Sequence, residues 1–271
     1  MPMPDVSTTP MPTLRERYED VRRRAQAAAV RAGRRPEDVL IVAVTKYASP
    51  EQIRELVEIG HADFAENRVQ QLVRRVAVVG EFLERHKTMT PSHAVILPPK
   101  VRWHMIGHLQ RNKVKRALEL TTLIHTVDTL RLAEEIQECA QRREGPVDVL
   151  MQVNASFERQ KSGVAMPAAI HLAEQIDSMV HLRVRGLMTM AAQSDDPQAA
   201  RGAFERCAEC FDDIRKAGIG GKAFNILSMG MTNDFEAAIE SGANMIRIGT
   251  GIFGDRQHTD PDRPDGEPDE D

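Results

Sequence analysis

Lys46 ends an apolar, β-branched run, IVAVTKYASP, so its amine starts from a largely desolvated environment. Desolvation favours the neutral amine, which is the nucleophile that forms a Schiff base with an aldehyde. A lysine merely leaving the fold toward water is the competing reading of this feature alone. A second pattern closes the last apolar run, NMIRIGTGIFGDR, where Gly249-Thr250-Gly251-Ile252-Phe253-Gly254 satisfies GxGxxG after a strand. A dinucleotide site would need a helix, a further strand and an acidic residue about twenty positions on, and only a polar tail follows. The same glycines instead suit close approach of backbone N–H groups to a phosphate.

Ser228-Met229-Gly230-Met231-Thr232 leads from the preceding strand into a helix, so hydroxyl and backbone donors converge on the same anion. Arg247 shares a strand face with Met245 and Gly249, while Ile246 and Ile248 take the other. With the isoleucines packed against helices, Arg247 points inward, where it needs a partner. A salt bridge to a carboxylate across the interior is one solution. The pyridine nitrogen of pyridoxal 5′-phosphate (PLP) is the other, and an arginine there leaves the ring a weak electron sink. Asn67, Trp103, His104, His108, Asn154, Lys161 and Met188 lie at or just beyond strand ends, where they could line a pocket or serve as ordinary caps and turns.

These residues need a scaffold that gathers strand ends. Apolar runs at 39–45, 61–65, 101–106, 123–127, 147–153, 182–188, 224–228 and 244–249 alternate with helical periodicity at 50–59, 67–79, 111–120, 129–143, 167–178, 197–217 and 232–241, after a leading amphipathic helix at 13–32. Ser49 before Pro50, Asp128 before Thr129, and Thr232 with Glu236 read as helix starts. The pattern predicts an α/β fold, a single (β/α)8 TIM barrel over 13–256, because closure removes the edges an open sheet must protect. Chemistry in such a barrel belongs at the C-terminal ends of the strands, and phosphates often bind after strands 7 and 8. Segment 80–100 reads as a loop insertion. The Pro- and Met-rich stretch 1–12 and the acidic tail 257–271 are expected to be disordered.

Composition narrows the partners. A formal net charge of −4 gives no general attraction to nucleic acid or anionic lipid, and no apolar run approaches the ~20 residues that span a bilayer. Without a secretory pattern a cytoplasmic location is expected, and Asn154-Ala155-Ser156 is then no glycosylation site. Three cysteines do not make a disulfide framework. Cys207-Ala-Glu-Cys210 sits within a helical pattern and lacks the companions of a metal site, so no metal is expected. Arginines 22–24, 31, 34 and 35 read as the solvated face of the leading helix.

Taken together, AVTKYAS (43–49), FAENRVQ (64–70), WHMIGHLQRNK (103–113), QVN (152–154) with KSGV (161–164), RGLMTM (185–190) and the long segment 227–254 resemble the pyridoxal phosphate homeostasis protein family. The resemblance runs in order over nearly the whole chain. It implies a barrel similar to the N-terminal domain of alanine racemase and other fold-type III enzymes. PLP would be joined to Lys46, its phosphate held by Ser228, Met229 and Gly230 with Gly249 and Thr250, and Arg247 near the pyridine nitrogen. Asn67, His104, Asn154 and Met188 complete the expected pocket. The resemblance further implies buffering or delivery of PLP, with transient contacts to PLP-dependent apoenzymes, rather than catalysis; a monomer is expected. The alternative is a racemase or related enzyme, in which a second domain supplies a tyrosine. Here Tyr18 lies in the leading helix and Tyr47 beside the lysine, leaving no evident second base.

Overall fold

The protein is described by a computed structural model over residues 11–89, 97–158, 162–192 and 197–254. The stretches 1–10 and 255–271 and Lys161 lie outside these described residues. Apolar runs form parallel strands β1 (Leu40–Val44), β2 (Asp63–Glu66), β3 (Arg102–Met105), β4 (Leu123–Val127), β5 (Val147–Asn154), β6 (Val164–Ala165), β7 (Leu182–Met188), β8 (Ile226–Ser228) and β9 (Met245–Ile248). Eight of them close a barrel in the order β1-β2-β3-β4-β5-β7-β8-β9, with β9 returning to β1. β6 only extends β5 outside the ring, pairing Val153 with Val164. Two residues carry no periodicity, and the sequence does not announce it.

The helices are α1 (Leu14–Arg31), α2 (Pro50–Glu58), α3 (Val69–Met89), α4 (Val114–Leu120), α5 (Leu130–Ala140), α6 (Ala169–Asp177), α7 (Pro197–Lys216), α8 (Phe235–Glu240) and α9 (Thr250–Phe253). α2 starts as expected, with the Ser49 hydroxyl accepting from the Gln52 N–H, the Gln52 side chain returning the bond, and Pro50 in the first turn. Two expected starts are corrected. Thr129 itself caps α5 through the Leu132 N–H, and α8 begins only after Asp234, whose carboxylate turns back to the Met231 N–H at 2.6 Å. The expected loop at 80–100 is also corrected, since α3 continues to Met89 with Val79 buried and Phe82 and Leu83 packed on the core. Apolar spacing outweighs the single Gly80, a weak breaker worth ~1 kcal/mol.

The main core lies between the helices and the outer faces of the strands, whereas Val42, Ala65, Leu123, Leu150, Met188 and Met245 form a separate cluster inside the barrel. Strand alternation divides most of the buried apolar strand residues between the two clusters, with breaks where the β4–β5 and β5–β7 registers shift. α1 covers the barrel floor and the last α/β unit. Tyr18 donates its hydroxyl to His61 Nδ1 at 3.0 Å, and His61 Nε2–H donates to the Asp63 carbonyl at 2.7 Å. The carbonyl can only accept, which fixes the proton of His61 on Nε2 and leaves Nδ1 for Tyr18. The arginines of the leading segment are not simply solvated: Arg24 reaches Glu236 at 2.7 Å, Arg31 reaches Glu240 at 2.9 Å, and Arg34 donates to the Ala243 carbonyl at 2.7 Å. Arg23, Arg31 and Arg35 are exposed as expected, while α8 and the turn after it offer acceptors to Arg24, Arg31 and Arg34 along that face.

Candidate functional site

The loops after β1, β8 and β9 meet at one end of the barrel. Lys46 follows β1 by two positions, and continuing the alternation of Val42 and Val44 directs it to the interior side. Its ammonium lies 4.9 Å from the centroid of the Tyr47 ring. The preceding Thr45 is tied down, its hydroxyl donating to the Ala65 carbonyl at 3.0 Å and to Glu66. Strand β9 pairs directly with β1, Val42 opposite Arg247 and Ala43 opposite Ile248. Lys46, Arg247 and Gly249 therefore belong to adjacent strands.

The two expected phosphate loops touch. Thr250 donates its hydroxyl to Thr232 Oγ1 at 3.2 Å, and the Gly251 N–H donates to the same oxygen at 3.1 Å. The N–H groups of Gly230, Thr232 and Thr250 have no protein acceptor among the described residues. Gly230 adopts φ +95°, and a Cβ there would stand 2.6 Å from Ala238 Cβ, so only glycine makes this turn without displacing α8. Unused donors on two joined loops fit an anionic phosphate. Met229 contributes less than its place suggested, because its N–H already serves the Met245 carbonyl at 3.1 Å and its side chain lies in the outer core.

Arg247 points inward and is buried, as alternation required. No carboxylate salt bridge holds it among the described residues. It donates from Nη1 to Ser228 Oγ at 2.8 Å and from Nη2 to the Thr189 carbonyl at 2.9 Å. Burial pushes its pKa down to about 10, while the charges of Asp234 and Cys207 pull the other way. The Ser228 hydroxyl is thus committed to the barrel interior rather than to the loop side of its turn. It also stands 3.3 Å from His125 Nδ1, and His125 Nε2 stands 3.0 Å from His104 Nδ1. His104 is accordingly a buried interior residue below the strand ends, with its Nε2 facing Asp63 Oδ1 at 3.4 Å.

The remaining expected residues scatter. Met188 belongs to the interior cluster. Asn67 is half-buried just after β2, where the backbone of Gly107 comes so close that a Cβ would overlap the Asn67 carbonyl oxygen, at 2.0 Å. Asn154 donates to the Glu158 carbonyl at 2.8 Å and accepts from Ser156 at 3.2 Å, shaping its own loop. Trp103 faces outward against Phe64, ring centroids 5.5 Å apart, and His108 is exposed. Cys207 and Cys210 lie in α7, and burial pushes both thiols up, Cys210 to about 11. His125, Asp63 and Thr189 are the neighbours of these groups that sequence reasoning missed, and Thr232, expected only as part of its turn, is the oxygen that joins the two loops. The alternation in LIHTV, with Leu123 inward, was signal enough for His125.

A cleft of about 430 Å3 opens at the opposite end of the barrel, among Tyr18, Arg22, His61, Asp63 and Arg102. It is the wrong end for strand-terminal chemistry, and its arginines are engaged by Glu19 and Asp63. No helix among the described residues is long and apolar enough to cross a membrane.

Residues 18–257 match the family described as alanine racemase, N-terminal domain. The chain is 36% identical over 243 residues to the pyridoxal phosphate homeostasis protein of Aquifex aeolicus, covering 90% of this chain and 98% of that one. The structure of PipY from Synechococcus elongatus, solved with PLP bound, superposes with a TM-score of 0.69 at 26% identity, over 86% of this chain and 100% of that chain. An alanine racemase of Clostridium difficile shares the fold at a TM-score of 0.62 and 16% identity, this chain covering 58% of that one.

Proposed function

Because the chain belongs to the pyridoxal phosphate homeostasis protein family, we propose that it binds PLP covalently through Lys46 and serves as an intracellular PLP reserve. The observation that carries this reading is the adjacency of β1 and β9, which brings the amine of Lys46, the inward Arg247 and the Gly249-Thr250 loop to one end of the barrel. Lys46 would hold the aldehyde carbon. The free N–H groups around Gly230, Thr232 and Thr250 would hold the phosphate, assisted by the Thr232 and Thr250 hydroxyls. Arg247 would donate to the ring nitrogen. When bound, PLP supplies an electrophilic carbon and an electron-withdrawing ring, and a guanidinium donor keeps that ring unprotonated.

Holding rather than transforming amino acids is favoured by the position of Tyr18. Its hydroxyl is fixed to His61 at the barrel floor, far from the strand ends, so only Tyr47 stands near Lys46. Delivery would take place through transient encounters of a monomer with PLP-dependent apoenzymes.

Borohydride reduction of the PLP-loaded protein, followed by peptide mass spectrometry, should place the reduced adduct on Lys46 and abolish it in Lys46→Ala. A reducible adduct of equal yield in Lys46→Ala refutes the assignment. Incubation with amino acids in D2O separates reserve from enzyme, since sustained exchange of the α-proton would establish racemase-type chemistry.

A further inference from the structure

The interior polar groups line up from the mouth to the floor: Arg247, Ser228, His125, His104, Asp63 and finally Arg102, joined by hydrogen bonds except where His104 Nε2 faces Asp63 Oδ1 at 3.4 Å without a formed bond. Its polarity can be derived from both ends. A guanidinium has only donors, so Ser228 Oγ accepts from Arg247. The serine hydrogen then needs an acceptor, and His125 Nδ1 is the one within reach. Burial, followed by the nearby His104 and Arg247, pushes the pKa of His125 well down, so its ring is neutral and its proton sits on Nε2. That N–H donates to His104 Nδ1, which places the proton of His104 on Nε2, facing Asp63.

The floor demands the same order. Asp63 is buried, which raises its pKa, but the nearby His104 and the hydrogen bonds from Arg102 outweigh this and bring it down to about 2. It is therefore an acceptor only. Arg102 clamps it with both Nε, at 2.6 Å, and Nη2. Reversing the line would set the lone pair of His104 Nε2 against a carboxylate and leave the serine O–H without an acceptor, each at the cost of a buried unsatisfied group.

We propose that Asp63, His104 and His125 are positioning residues for Arg247, forming with Ser228 a one-way line of donors that fixes the guanidinium toward the ring nitrogen of PLP. The inference rests on the PLP reading above. Two of the five N–H donors of Arg247 are committed below, to Ser228 and Thr189, which sets the plane of the rest. From Ser228 through His125 to His104 every proton in the line points away from the mouth. The interior thus offers the ring nitrogen a charge-assisted hydrogen bond and no transferable proton, which suits storage of the cofactor.

The test uses 15N-histidine-labelled full-length protein without ligand. Both His104 and His125 are expected as neutral Nε2–H tautomers at neutral pH; an imidazolium at either, or an Nδ1–H on His125, overturns the proposal. Asp63→Asn keeps the shape and removes the charge, so His125 should then populate the Nδ1–H form, and an unchanged tautomer refutes the role of Asp63. In PLP-loaded Asp63→Asn and His125→Gln, the reducible adduct on Lys46 should persist. The visible absorbance maximum should shift, and PLP affinity should fall on the order of tenfold. An unmoved spectrum and affinity in folded variants sinks the proposal while leaving the PLP reading intact. Absence of an adduct in the unsubstituted protein sinks that reading instead, whereas the ligand-free tautomers stand independently.

Discussion

Acidification should loosen the barrel floor through His61, and the size of the effect can be worked out. His61 is buried between Tyr18 and the Asp63 carbonyl, and burial pushes its pKa down to about 4 against its hydrogen bond to that carbonyl. In the unfolded chain it protonates near 6.5. Between these values the unfolded state binds more protons than the native one, so stability falls as pH falls through this window and levels off below pH 4. The full span is about 3 kcal/mol, of which about 2 kcal/mol is lost between pH 7 and pH 5. Urea unfolding followed by circular dichroism at both pH values, for the unsubstituted protein and for His61→Gln, isolates this term as a double difference. Glutamine can still accept from Tyr18 and donate to the carbonyl, while His125, Asp128 and Asp234 titrate in both proteins and cancel. A double difference near zero, or an NMR titration of native His61 close to 6.5, would refute the argument.

Gly230→Ala should lower the unfolding free energy by roughly 2–4 kcal/mol, since the positive φ and the 2.6 Å approach to Ala238 both oppose a methyl group; a urea midpoint measures it. Thr232→Val removes the oxygen shared by Thr250 and the Gly251 N–H. PLP affinity should fall about fivefold, or ~1 kcal/mol, by equilibrium dialysis, with little change in the unfolding midpoint. Asp148→Ala strips the partner from Arg183 and Arg185 on the barrel floor and should cost about 1–2 kcal/mol, lessened by salt in the unsubstituted protein. A salt-independent difference would show that packing, not charge, is at work there.

The eight barrel strands were legible because short runs rich in apolar residues recur between helical periods, even where Asp63, Asp148, Arg183, Arg185 or Arg247 interrupts them, and strand alternation put Arg247 inside. Lys46 and the glycines after β9 could be found because strand ends are visible in one dimension. Helix starts were harder: Asp128 and Thr232 have the right chemistry for caps, but Thr129 and the Asp234 turn compete for the same first turns. Most obscure was the interior line. His104 and His125 are 21 residues apart, and His125 and Ser228 are 103 apart. Their meeting depends on the register between strands, which no single strand displays. For the same reason Ser228 looked like a phosphate ligand, since its turn is readable and its rotamer is not.

Closure by β9 on β1 also constrains how the chain reaches its native state. Leu40 lies opposite Met245, and the last turn is pinned by Arg17, which donates to the Ile252 carbonyl at 2.8 Å, and by Gln52, which donates to the Phe253 carbonyl at 3.0 Å. During synthesis at ~5–20 residues per second, the first strand and helix therefore wait on the order of ten seconds or more for their partners to emerge. Throughout that interval β1 presents an unpaired edge. Contacts spanning roughly 200 residues make ring closure a late and slow event. Lys46 is made early, but the arginine and glycines that would share its ligand arrive only as the ring shuts, so binding competence and completion of the fold should coincide.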